Sequence, residues 1–157
     1  MRLLSFLLII TSLVSCKKKN QNLIIKTVVN DYADIFTKTE EDSLSKIIID
    51  YEKTSTNQIC VYVIDSVPSL DNPVVYATKI ANKLGVGQKE KDNGLLLLIS
   101  KNDKKIAFAT GYGTEKIVTD SICKRLIDST LVPSFKKGNY FEGVLQALDT
   151  IKVKWED

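Results

Sequence analysis

The residues best equipped for chemistry sit between Lys91 and Asp120. Asp92, Asn93, Glu115 and Asp120 offer carboxylate and amide oxygens, and Gly111-Tyr112-Gly113 holds an aromatic ring between two glycines. Oxygen donors suit calcium or magnesium better than zinc or copper. Carboxylates gathered at one place repel unless a cation binds them or one takes a proton. A divalent-cation site of Asp92, Asn93, Glu115 and Asp120 is therefore expected, with Asp31 and Asp34 as secondary candidates toward the opposite sheet edge. Turn chemistry explains the same residues one at a time: Asp92 and Asn93 precede Gly94 as a tight turn prefers, and Thr119 or Asp120 opens a helix. Tyr112 also has two readings. Its ring is free to anchor a partner, as aromatic residues at binding hot spots do, or it packs over the helix below.

A hairpin must bring these residues together. Gly94 to Ile99 is a continuous apolar run and Ile106 to Ala109 a second, with turn-prone Lys101-Asn102-Asp103-Lys104 between them. Antiparallel pairing then sets Gly94 opposite Gly111 and joins the two glycine-containing loops. Upstream, Thr37 and Thr39 each stand three residues before an acid, Glu40 and Asp42, the capping-box spacing that opens a helix to about Lys53 with Leu44, Ile47, Ile48 and Tyr51 inward. Gln58 to Asp65 reads as a strand apolar on both faces. Asn72-Pro73 opens a helix that Gly85 ends, so this strand should run parallel to Gly94–Ile99 through a right-handed crossover. A helix from Thr119 or Asp120 should stop near Pro133, and another begins at Asn139. The expected fold is α/β: one domain, a three-layer α/β/α sandwich around a small mixed sheet.

The first residues carry a different message. An apolar run from Leu3 to Leu13 ends at Cys16 and is followed by Lys17-Lys18-Lys19. The run is too short to span a bilayer, which takes about 20 residues, but it suits a signal peptide. It resembles a bacterial lipoprotein signal: residues 1–15 removed, Cys16 lipidated, 16–26 a basic linker and 27–157 the folded domain. The expected location is the bacterial cell envelope, lipid-anchored to a membrane and outside the cytoplasm.

The chain has 22 Lys and Arg against 19 Asp and Glu. Arg2 and Lys17 to Lys19 belong to the leader and tether, leaving 18 against 19. Nothing favours nucleic acid as a partner. The absence of histidine removes Ser-His-Asp and Cys-His nucleophiles and histidine-ligated zinc. Cys60 and Cys123 lack CxxC spacing and read as small buried apolar residues, with pairing open but unforced.

The ordered set of Val29-Asn30-Asp31-Tyr32-Ala33-Asp34, Leu84-Gly85-Val86-Gly87, Asp92-Asn93-Gly94-Leu95-Leu96-Leu97, Gly111-Tyr112-Gly113, Thr119-Asp120 and Pro133-Ser134-Phe135 with Gly138-Asn139-Tyr140 and Gly143 resembles the TPM-domain family over about Val28 to Ile151. That resemblance implies the α/β/α sandwich. It also implies one of several roles described for members: acid phosphatase, calcium binding, or non-enzymatic repair and modulation of membrane complexes. Two classes follow. One is a calcium-type binding module serving an envelope protein complex. The other is a metal-assisted acid phosphatase acting on phosphate monoesters, with Asp92 and Asp120 as its catalytic candidates and Lys89 and Lys91 attracting the phosphate.

Overall fold

The computed structural model describes residues 27–68 and 71–156. Its first helix begins where Thr37 and Glu40 cap each other: the Thr37 hydroxyl accepts the Glu40 amide and the Glu40 carboxylate accepts the Thr37 amide at 2.7 Å. This helix, α1, runs Lys38–Ser55 and buries Leu44, Ile48 and Tyr51. Before it lies a short strand, β1 (Val29–Asp31), and after it β2 (Gln58–Ile64). Asn72 caps α2 (Pro73–Leu84) by accepting the Val74 amide, and Gly85 ends it in the left-handed region at φ 63°. The hairpin follows as β3 (Gly94–Ser100) and β4 (Lys105–Thr110). A one-turn helix, α3 (Tyr112–Glu115), leads to α4 (Asp120–Leu126), a π turn (Ile127–Leu131) and α5 (Val132–Phe135). The last helix, α6, spans Tyr140–Glu156.

The sheet order is β1-β2-β3-β4, with the first three strands parallel and β4 antiparallel to β3. Leu95 pairs with Thr110, which sets Gly94 opposite Gly111 as expected. Side-chain alternation splits the core in two. One face carries Val29, Val61, Val63, Leu95, Leu97 and Phe108 beneath α1, α4 and α6. The other carries Cys60, Leu96, Leu98, Ala107 and Ala109 beneath α2. The result is the α/β/α sandwich, with β3 buried along its whole length.

Two features depart from expectation. Strand β1 is added, too short to show a periodicity of its own. The helix from Asp120, expected to stop near Pro133, ends at Phe135 and gets there through an unexpected π turn, closed by a Val132 amide to Ile127 carbonyl bond. Proline has no N–H to give the carbonyl four residues back and its ring crowds that carbonyl; the wider π turn relieves both. A third feature concerns chain path. The connections β1-α1-β2 and β2-α2-β3 advance in one direction across the sheet, yet their helices lie on opposite faces. The two crossovers therefore have opposite hands, one against the usual right-handed rule.

Cys60 and Cys123 are both buried as thiols. They belong to opposite faces of the sheet, so the core reading is the one the fold accommodates. The leader, Cys16 and the basic linker lie outside the described residues. Among the described residues no helix is long and apolar enough to cross a membrane.

Candidate functional site

Residues 86–88, 91–94 and 111–114 meet backbone to backbone at the start of β3. Glycine permits this. A Cβ on Gly111 would stand 2.2 Å from the Asp92 carbonyl oxygen, one on Gly113 2.1 Å from that of Lys91, and one on Gly94 2.4 Å from that of Val86. The Asp92 carbonyl accepts the amides of Gly113 and Thr114 at 3.1 and 3.2 Å, and the Gly111 amide donates to the Gly94 carbonyl. Thr114, with no solvent exposure, gives its hydroxyl to the same Gly94 carbonyl at 3.0 Å.

Side chains brace the junction from beneath. Asn93 is buried; its Oδ1 accepts the Gln88 amide and its Nδ2 donates to the Thr56 carbonyl, each at 2.8 Å. Gln58 accepts the Gly87 amide through Oε1 and donates through Nε2 to Glu52. Lys91 donates to the Thr56 hydroxyl at 2.9 Å. These residues hold the loops together, and buried Asn93 finds partners for both ends of its amide as a buried polar group must.

Of the expected cation ligands, three stand at the surface and one is buried. The hairpin joins the two loops, but Asp92, Glu115 and Asp120 each remain exposed to solvent. Among the described residues no three His, Cys, Asp or Glu side chains come together in a way that could hold a metal ion. Strand pairing sets the distance between backbones, whereas a cation needs side-chain oxygens converging within about 2.5 Å of one point. Asn93 is withdrawn into its brace. Asp31 is spent as well: its carboxylate accepts the amides of Ala33, Ile35 and Phe36 at 3.1, 2.8 and 2.8 Å, shaping the turn into α1. Asp34, in that turn at φ 49°, is exposed.

Tyr112 is different. The residue is 79% exposed and opens α3 directly after Gly111, with Ile117 40% exposed close by in sequence. The ring does not pack down over the helix below. A second aromatic group escaped the sequence reading. Tyr32, 63% exposed and directly after β1, tilts against Tyr62 of β2 at 5.3 Å. Burial, and then the neighbouring Tyr32 and Tyr76 phenols, raise the Tyr62 hydroxyl above its ordinary pKa. Recognising β1 as a strand parallel to β2 was the missing signal, since that pairing alone brings Tyr32 to Tyr62.

Comparison with known proteins bears on the same architecture. The family model described as TPM domain matches residues 29–154. Among curated proteins, none matches this sequence. The solution structure of the N-terminal domain of a protein from P. gingivalis is similar at TM-score 0.73 and 25% identity, covering 81% of this chain and 80% of that one. The BA42 protein from Bizionia argentinensis is similar at TM-score 0.66 and 20% identity, covering 80% and 84%. The N-terminal domain of the cg2496 protein from Corynebacterium glutamicum is similar at 0.64 and 13%, covering 85% and 83%.

Proposed function

Because this chain belongs to the TPM-domain family, we propose that it is a non-catalytic binding module of the bacterial cell envelope. Lipid on Cys16 holds it to a membrane, and its Gly111-Tyr112-Gly113 edge meets an envelope protein or complex that it helps assemble, repair or modulate. One observation carries this reading: Tyr112 is 79% exposed on a junction whose backbone segments are already in contact. A ring presented from a rigid base loses little conformational entropy when a partner covers it.

The phosphatase alternative asks for more than this edge holds. Phosphoryl transfer needs positive charge around the equatorial oxygens and a positioned water. Only one arginine, Arg125, lies beyond the leader, and it is exposed on α4. Lys91 is engaged with Thr56, and exposed carboxylates repel a phosphate dianion. The binding reading rests on the glycine junction and the exposed Tyr112 ring and asks for no chemical step. Hydrolysis of a generic phosphate ester by the purified protein tests it. The expected result is turnover far below the usual enzyme median of about 10 per second, unchanged in Asp92→Asn and Asp120→Asn. Turnover near that median, lost in either variant, overturns the reading.

A further inference from the structure

Strand β4 is an outer strand of the sheet: it pairs with β3 on one side, and among the described residues no strand pairs with it on the other. One hydrogen bond fixes which of its backbone groups face outward. The Gly111 amide donates to the Gly94 carbonyl at 2.9 Å, which makes Gly94 and Gly111 a hydrogen-bonded pair. Such pairs alternate along an antiparallel ladder, so Lys105, Ala107 and Ala109 turn their N–H and C=O groups toward β3, while Ile106, Phe108 and Thr110 turn theirs away from the sheet. An outward row of this kind is a template for another strand unless a proline, a bulge or well-placed charges blunt it. β4 contains no proline, its register with β3 is unbroken from Lys105 to Thr110, and its charged residue, Lys105, is the first of the strand. Helix α2 continues this surface above the sheet. It packs over β3 and β4 and buries Ala77 and Ile80. Tyr76, with Lys79 and Lys83 following at helical spacing, marks the flank toward β2, because its phenol stands near that of Tyr62. The other flank, Val74, Thr78 and Ala81, therefore overhangs the open side of β4; it is uncharged, and Val74 is 52% exposed on it.

We propose that β4 pairs antiparallel with β4 of a second copy of this chain, about a two-fold axis at Phe108, joining the two sheets into one. In that register Phe108 faces Phe108 and Ile106 faces Thr110, so every outward N–H and C=O group of the three residues finds a partner. On the α2 face Ala107 falls beside Ala109, and these small side chains let the two uncharged α2 flanks approach. Lys105 of one copy falls opposite Gly111 of the other, whose carbonyl accepts the Glu115 amide. Lys105 and Glu115 are both exposed, and the pairing brings these opposite charges near each other at both ends of the ladder. Such self-complementarity is what a contact between identical copies about a two-fold axis requires. Tyr112 follows the paired strand at each end, so a dimer presents two rings; the pairing itself does not rest on the function proposed for that ring.

Sedimentation velocity of the full-length protein in density-matched detergent, over a range of protein concentrations, tests the pairing together with amide exchange read residue by residue. The expected result is a monomer–dimer equilibrium with Kd on the order of 10 μM. The amides of Ile106, Phe108 and Thr110 should exchange at least about tenfold more slowly as the dimer fills. Thr78→Lys, at an exposed helix position, sets two lysines on the facing flanks and should weaken the dimer at least about tenfold. Thr110→Pro removes an outward N–H and no bond to β3, and should weaken it likewise; Thr78→Lys decides if the proline variant fails to fold. Lys83→Ala, on the other flank, should leave the equilibrium unchanged. Four results overturn the proposal: a monomer at every concentration, a dimer indifferent to Thr78→Lys, protection of the three amides that does not change with concentration, or protection that arises only on adding envelope extract, which would seat a foreign strand on the edge. None of these outcomes alters the phosphate-ester result, so the two readings fail separately.

Discussion

Gly111 and Gly113 cannot take a side chain without parting the segments they join. Gly113→Ala sets a methyl group 2.1 Å from the Lys91 carbonyl oxygen and should cost about 3 kcal/mol, the upper end of the range for overpacking. Gly138 is the comparison: its φ is +81° but nothing lies within 4 Å of the added Cβ, so Gly138→Ala should cost only about 1 kcal/mol of left-handed strain. Urea unfolding of both variants measures the difference. Cys123 supplies a pH-dependent prediction. Burial, and secondarily the Asp120 carboxylate, pushes its thiol up to about 11 from 9.0. The unfolded chain then loses this proton first, so the thiol's contribution to stability is complete below pH 9 and fades as pH rises toward 11. Comparing urea midpoints at pH 8 and pH 10.5 should show a steeper loss for the unaltered protein than for Cys123→Ala. At this scale the sequence was legible for turns and caps and silent on how the expected cation ligands are arranged. Pairing Gly94 with Gly111 brings backbones together, and nothing in residue type or spacing says whether Asp92, Glu115 and Asp120 then converge.

Helices announced themselves through their ends. The Thr37–Glu40 box and the Asn72-Pro73 start appear as expected, because a cap is a local hydrogen bond that spacing specifies. Thr37→Ala should cost about 1 kcal/mol, with faster amide exchange confined to the first turn of α1. Strand β1 was missed for the opposite reason: three residues carry no period, and the strand is held by its pairing with Val61, Tyr62 and Val63. The end of the helix near Pro133 was legible because proline normally ends an α-helix, but the π turn before it was not, since tertiary packing and not spacing sets it. Leu131, in that turn, is fully buried in the larger core with Leu126 and Val144.

At the scale of the molecule, the continuous apolar run of β3 specified the sandwich, since a strand buried on both faces needs helices above and below. The hands of the two crossovers were not legible, because handedness is a property of chain path and leaves no residue signature. The proposed function makes the Tyr112 edge the contact surface, and one measurement tests that most directly. A photo-crosslinking amino acid replaces Tyr112 in the full-length protein in its native cells, with Val153, 60% exposed on α6, as a control position. The account predicts a discrete crosslinked species from position 112 and none from position 153. No adduct at 112, or the same adducts from both positions, would contradict it.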